Sequence, residues 1–420
     1  MEPSLLSLDT VLIGLAVLAL LGVIFEEVTH VNKAKITLFF GTLSWLLMFI
    51  ASTNEEETRA ISLGLSESIA EIAGLWLFLV AAMTFVAYLN KKGMIENMVY
   101  LIMPGKVTER KLLFLTGLFC FVFSSLADNI TATLVSCSLI LTLNLELKKR
   151  IQFITLVVFA VNSGGVALIT GDVTTLMIFL AGKVEILTLL TLALPSAITV
   201  FVLAVILCRG LDGTVVMEPR LNSVRPVDVV ISVLFLATII ATITGNSLFS
   251  IPPVLMFLFG LSVMFLVSRF MSDDSDLDPI LEYVRAIEFE TLLFFLGILL
   301  LVGSLKEIHA LDSLVNIYHM MPPLAANYVM GIFSAIIDNV PLTAALLKAG
   351  IDMTPAEWMG LTYAVGVGGS LLVIGSAAGI VAMSKIPGLT FAAYLRYFVH
   401  LFVAYTFGYA GVYLLGQFLH

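Results

Sequence analysis

Two short stretches decide the fold: SSLADNITA at residues 124–132 and SAIIDNVPLT at 334–343. Each sets an Asp-Asn pair inside an apolar run, and the pairs Asp128–Asn129 and Asp338–Asn339 stand 210 residues apart. A second correspondence follows downstream, where VNSGGVALITGDVTT (161–175) matches VGVGGSLLVIGSAAG (365–379) and lays Gly164–Gly165 over Gly368–Gly369 and Gly171 over Gly375. A weaker one precedes them: FLVAAMTFVAYL (78–89) matches FFLGILLLVGSL (294–305), with Glu71 and Glu288 a similar distance upstream. The elements keep one order in both halves, so the chain reads as a duplicated unit.

The medium around these stretches follows from composition. Of 420 residues, 60% are apolar and 12% charged, with a mean hydropathy of +1.08, whereas soluble domains run at about 45–50% apolar and about 25% charged. A water-soluble enzyme is excluded. Apolar runs fall at 8–25, 36–51, 62–89, 111–127, 130–147, 151–182, 184–208, 227–247, 251–269, 287–305, 322–349, 354–384 and 389–418, many of them near the roughly 20 residues that cross a bilayer. The first is expected to be a span and not a removed signal, because no charged stretch and small-residue cleavage site accompany it. Cys120, Cys137 and Cys208 all lie in apolar runs and are read as core filler. The net charge of −9 excludes nucleic acid as a partner.

Polar breaks inside apolar runs carry the topology. In hydrocarbon, freed backbone groups survive only where they line a cavity or are buried in protein. Taking each Asp-Asn pair as the tip of a re-entrant hairpin, with arms 111–127 and 130–147 in the first and 322–337 and 340–349 in the second, segregates the basic residues. The first hairpin is flanked by Lys91, Lys92, Lys106, Arg110, Lys111, Lys148, Lys149 and Arg150, the second only by Lys306 and Lys348. Cytoplasmic loops carry the lysine and arginine excess, so the first hairpin enters from inside and the second from outside. Lys33, Lys35, Arg209, Arg220, Arg225, Arg269, Arg285 and Lys385 then lie inside, Arg59 and Lys183 outside, and Glu55–Glu57 in an outer solvated loop. The expected architecture is an all-α polytopic membrane protein of inverted-topology repeats, each with a re-entrant hairpin and a broken transmembrane helix. Its parts are N-terminal scaffold helices over 1–60, a first repeat over 61–210 with hairpin 111–147 and broken helix 151–182, connecting helices over 211–270, and a second repeat over 271–420 with hairpin 322–349 and broken helix 354–384.

Chemistry is sought at the breaks. An ionised carboxylate at membrane depth is costly, so Asp128, Asp172 and Asp338 need compensation, and no lysine or arginine lies within these breaks. Proton and alkali cation then compete for one oxygen, and a protein that alternates access exchanges one for the other. Oxygen donors suited to Na⁺ surround the acids: Asn129, Thr131, Asn162, Ser163, Thr174, Thr175, Asn339, Ser370 and Ser376. The blander readings are helix-to-helix hydrogen bonds for Thr131, Ser163 and Ser370, and Asp as an N-cap of a half-helix for the Asp-Asn pairs. Asn162 and Asp172 face Gly366 and Ser376 in the alignment, which tilts the site toward the first repeat. Glu71 and Glu288 stand at or near span starts as interfacial carboxylates, with access or pH sensing as the alternative; His309 and His319 are placed outside, and His400 in the last span is a pH-sensor candidate.

AAMT (81–84), ADNIT (127–131), the NSGG and GDVTT blocks, LLFFLGILL (292–300), SAIIDNVPL (334–342) and GGSLLVIGSAAG (368–379) together resemble the NhaD-type sodium/proton antiporters of the ion transporter superfamily over roughly 65–400. The resemblance implies exchange of Na⁺ or Li⁺ for H⁺ with no cofactor, scaffold and transport domains built from inverted repeats, a homodimer in the bacterial inner membrane, and a role in pH homeostasis. It implies functional roles for Asp128, Asn129, Asn162, Asp172, Thr174, Thr175, Asp338 and Asn339, with Asp128, Asp172 and Asp338 as Na⁺ ligands. Ala132 stands where the family has a second Thr, and VALIT (166–170) where it has a Trp-Thr-Pro run.

Two alternatives compete. An anion carrier of the same superfamily, for dicarboxylate or arsenite, wants neutral hairpin tips facing helix N-termini, and two aspartates there would repel its substrate. An intramembrane aspartyl protease would also use two acids sharing a proton, but the acids here sit in matched motifs and ITGD (169–172) stands in place of GxGD. The hairpin reading predicts that cysteines placed at Lys106 and Lys149 are labelled from one side of the membrane and a cysteine at Lys348 from the other; labelling of the first two from opposite sides would dismantle it.

Overall fold

The computed structural model describes residues 7–26, 31–102, 105–143, 145–216, 223–271 and 280–419. Arg220 lies outside the described residues. The helices are α1 (Leu8–Ile24), α2 (Lys33–Ala51), α3 (Glu55–Lys91), α4 (Met94–Ile102), α5 (Glu109–Leu126), α6 (Asn129–Thr142), α7 (Leu147–Gly165), α8 (Val173–Leu180), α9 (Ile186–Thr191), α10 (Ala193–Leu207) and α11 (Pro226–Phe249). They continue with α12 (Pro253–Met271), α13 (Ile280–Ala286), α14 (Phe289–Glu307), α15 (Asp312–Met320), α16 (Pro323–Phe333), α17 (Asn339–Lys348), α18 (Pro355–Gly368), α19 (Ala377–Lys385), α20 (Phe391–Leu395) and α21 (Phe398–Leu419). Among the described residues seven helical stretches are long and apolar enough to cross a membrane: α2, α3, α9 with α10, α11, α12, α14 and α21.

Helix α3 runs unbroken through residues 60 and 61, so a helix and not a linker leads from the N-terminal segment into the first repeat. Glu55–Glu57, expected in a loop, form its first turn. The reason is local: the Asn54 side chain accepts from the Glu57 N–H at 2.9 Å, and the Glu57 carboxylate accepts from the Thr53 N–H at 2.8 Å. Three acids at a helix N-terminus also meet the positive end of its dipole. At about 1.5 Å per residue its 37 residues span about 55 Å, well beyond a hydrocarbon core.

Two short strands interrupt the otherwise helical chain. β1 (Lys106–Thr108) pairs antiparallel with β2 (Thr214–Val216). Next to the ribbon, the buried Glu109 carboxylate accepts from Lys149 Nζ at 2.9 Å on both oxygens and from the Gly213 N–H at 2.9 Å. The starts of α5 and α7 are thereby held together with the segment that leaves α10.

The duplicated motifs make duplicated contacts. Ser124 donates to the Val161 carbonyl at 2.7 Å, and Ser334, its counterpart, donates to the Val365 carbonyl at 2.7 Å. A Cβ on Gly164 would fall 2.9 Å from the Phe121 carbonyl carbon, and one on Gly368 would fall 2.7 Å from that of Gly331. In each half the backbone before an Asp-Asn pair thus presses on the end of a helix that stops short, α7 at Gly165 and α18 at Gly368. The short helices α8 and α19 resume after breaks at 166–172 and 369–376.

Beside these halves, α2 and α14 lie against one another through small residues, as helices in lipid do. Trp45 Nε1 donates to the Leu300 carbonyl at 2.9 Å, and a Cβ on Gly297 would stand 2.7 Å from Leu38 Cα. Cys120 and Cys137 are buried, while Cys208 is half-buried. Lys91 pairs with Glu282 at 3.2 Å, Lys149 with Glu109, Lys306 with Glu67 at 3.2 Å, and Lys348 with Glu71. Gly297→Leu is expected to destabilise the protein by about 1–3 kcal/mol through overpacking, lowering its thermal midpoint in detergent. Gly74→Ala, whose Cβ meets nothing within 4 Å, is expected to leave that midpoint unchanged.

Candidate functional site

Four helix N-termini carry polar caps from the motifs. Asp128 caps α6 by accepting from the Thr131 N–H at 2.9 Å and the Thr131 hydroxyl at 2.7 Å. Asp172 caps α8 by accepting from the Thr174 N–H at 3.1 Å, and Asp338 caps α17 by accepting from the Val340 N–H at 3.1 Å. Ser376 caps α19 through the Gly379 N–H at 3.3 Å. The capping alternative is therefore realised at both Asp-Asn pairs, and Asp172 caps its helix as well. It satisfies the freed N–H groups and sets each negative charge on a helix dipole.

Three of these caps converge. Asp172 and Asp338 are only 6% and 8% exposed, and with Asn129, Asn339 and Ser376 they line a cavity of about 50 Å³. A polar chain ties the two halves together across it. Asn339 Nδ2 donates to Asp172 Oδ2 at 3.3 Å, Asn162 Nδ2 donates to the Ser376 hydroxyl at 2.9 Å, and Asn129 Nδ2 reaches Asn162 Oδ1 at 3.4 Å. Ser124 fixes the flip of Asn129 by donating to its Oδ1 at 2.8 Å. Gly165 leaves room for this meeting, since a Cβ there would lie 2.7 Å from Asn129 Oδ1 and 3.0 Å from Asp172 Cβ.

Not every expected residue comes to the cavity. Asp128 is half-buried; its carboxylate is taken up by Thr131, and it lies within electrostatic reach of Glu288. Among the described residues no three Asp, Glu, His or Cys side chains gather into a metal cage. Of the expected trio, Asp172 and Asp338 line the cavity, whereas the Asp128 carboxylate accepts from Thr131 on its own helix turn. Ser370 donates to the Val367 carbonyl and serves the helix end. Thr175 reaches the Gly165 carbonyl only at 3.5 Å. The Ser163 and Thr174 hydroxyls are fully buried and have no hydrogen-bond partner among the described residues. Glu288 is exposed at the start of α14, where it accepts from Thr291 at 3.3 Å. Glu71 pairs with Lys348 beside a separate cavity of about 280 Å³. His400 stacks near Tyr397, away from both.

One charge was not foreseen. Lys33, expected at the inner surface, instead places Nζ 3.2 Å from Asp338 Oδ2 and lines the same cavity. Its partner is 305 residues away, which no local pattern signals. Ser124 had a signal, its place in the duplicated motif.

Known proteins resemble this chain over most of its length. Residues 2–368 match the CitMHS family, described as citrate transporter. The Na(+)/H(+) antiporter NhaD of Alkalimonas amylolytica is 29% identical over 94% of this chain and 88% of its own length. That of Vibrio cholerae serotype O1 is 29% identical over 89% and 85%. Sodium/proton antiporter 1 of Arabidopsis thaliana is 31% identical over 89% of this chain and 68% of that protein. Among solved structures, the YdaH transporter of Alcanivorax borkumensis superposes with a TM-score of 0.54 at 10% identity, covering 93% of this chain and 98% of that one, and shares the fold. The chain is a multi-pass membrane transporter and not an enzyme; it belongs to the CitMHS family and is similar to the NhaD-type sodium/proton antiporters.

Proposed function

We propose that the protein exchanges Na⁺ for H⁺ by alternating access, with Asp172 and Asp338 as the carboxylates that bind the ions. The observation that carries this reading is the cavity itself. Two buried carboxylates, one from each half, meet across about 50 Å³ and are joined by Asn339. Asp172 makes no ion pair among the described residues, so its charge is left to a proton or a cation. Na⁺ takes oxygen ligands, and Asn129, Asn339 and Ser376 add neutral donors on the cavity wall. The buried Thr174 hydroxyl stands two residues after Asp172 in sequence. Na⁺ and H⁺ are substrates here, and no cofactor takes part.

The movement proposed is that of inverted repeats. The duplicated sequence supports it, and so do the matching contacts of Ser124 with Val161 and of Ser334 with Val365. The hairpins α5–α6 and α16–α17 would carry the ions past the scaffold of α2, α3 and α14. Asp128 then serves as a positioning cap. The family resemblance extends the proposal to Li⁺, to a homodimer, and to pH homeostasis in a bacterial inner membrane.

A second reading has an observation in its favour: the family description names citrate, and several helix N-termini face one space. Those N-termini already hold carboxylates, however, and an added anion would meet two like charges in a dry cavity.

The test is proton movement in inverted vesicles. Sodium is expected to release accumulated protons from wild type, while citrate in place of sodium does nothing. Asp172→Asn and Asp338→Asn are each expected to bring the response to background with expression retained, whereas Asp128→Asn retains measurable exchange. Wild-type activity in Asp172→Asn, or exchange driven by citrate, would overturn the proposal.

A further inference from the structure

We infer that Lys33 is a tethered competitor for the transported cation: its ammonium holds the Asp338 carboxylate while Na⁺ is absent and gives way when Na⁺ binds. This rests on the reading of the cavity just given and adds a residue that sets its affinity for the ion.

The geometry supports it in four ways. Lys33 Nζ lies 3.2 Å from Asp338 Oδ2, and its side chain is only 18% exposed. Lys33 and Asp338 line one cavity and the ammonium sits directly on the carboxylate, so a cation that binds this carboxylate takes the place of Lys33. Nζ already stands 4.5 Å from the centre of the Phe294 ring while it pairs with Asp338, and that ring face, which attracts cations, is left as its second resting place once the carboxylate is taken. The flexible four-carbon stem of lysine permits such a swing, where the planar arginine fork would favour a fixed pair.

Stability alone gives no reason for this pair. A buried ion pair is often no more stabilising than an apolar replacement of the same volume. What the pair does is join two moving parts. Lys33 belongs to α2, and its base is fixed there: its own N–H donates to Glu26 at 3.0 Å, and the neighbouring Asn32 donates to Glu290 at 2.6 Å. Asp338 belongs to the hairpin α16–α17. Glu288 also lies within electrostatic reach of Lys33, and Asp172 shares the cavity. Replacing the ammonium by Na⁺ therefore unfastens the hairpin tip from the scaffold at the moment the ion is bound.

The experiment is the sodium dependence of exchange in proteoliposomes at fixed pH, for wild type, Lys33→Met and Lys33→Arg. Lys33→Met is expected to lower the half-saturating Na⁺ concentration roughly tenfold, with a reduced maximal rate because the ion leaves more slowly. Lys33→Arg keeps the charge but holds the carboxylate in a fixed pair, and is expected to raise half-saturation above that of wild type. A purely structural lysine would lower the maximal rate and the thermal midpoint and leave half-saturation in place; that result overturns the inference. Should Lys33→Met fail to fold, Phe294→Leu decides: loss of the second resting place is expected to raise half-saturation, and no shift overturns the inference. Absence of sodium-driven exchange in wild type would instead overturn the underlying reading.

Discussion

A bare negative charge has no place in the interior of this protein, and the structure around Asp172 and Asp338 answers that constraint. Each carboxylate takes a helix N-terminus, which supplies N–H donors and the positive end of a dipole. Helices that stop inside an apolar layer in turn need caps, because their freed N–H groups find no water there. The acids and the broken helices are therefore mutually dependent: the break creates donors that only an anion or a polar side chain can satisfy, and the anion requires donors that only a break exposes.

That dependence explains the glycines. Hairpin and broken helix must approach until side-chain oxygens reach backbone groups across the gap, as Ser124 and Ser334 do. At Gly164 and Gly368 a methyl group would collide with neighbouring main chain. Backbone contact at this range is the usual substitute, in lipid, for the hydrophobic driving force available in water.

Much of this was legible in the sequence because it was written twice. The Asp-Asn pairs and the glycine doublets each appeared at a fixed spacing, and a polar dipeptide inside an apolar run has few structural explanations. Capping was also readable, since Asp before Asn or Val at a helix start has a local mechanism. What escaped notice lacked periodicity or proximity. Strands of three residues alternate over too short a stretch to be read as a pattern. The acidic turn at Glu55–Glu57 looked like a loop by polarity, although Asn54 three residues before a bonded N–H is a start signal. The identical motifs at Asp128 and Asp338 hid their difference altogether. Only the fold brings Lys33 to one and leaves the other on its own helix turn.

The β-ribbon has a topological meaning of its own. Because Lys106–Thr108 lies beside Thr214–Val216 and Glu109 clasps Lys149 and Gly213, the polypeptide enters and leaves the intervening segment at a single doorway. Segments with adjoining ends behave as inserted modules, tolerant of grafting and able to shift as one body. The two covalent connections of this segment to the rest of the chain thus lie side by side, while its helices pack and hydrogen-bond against those of the second half.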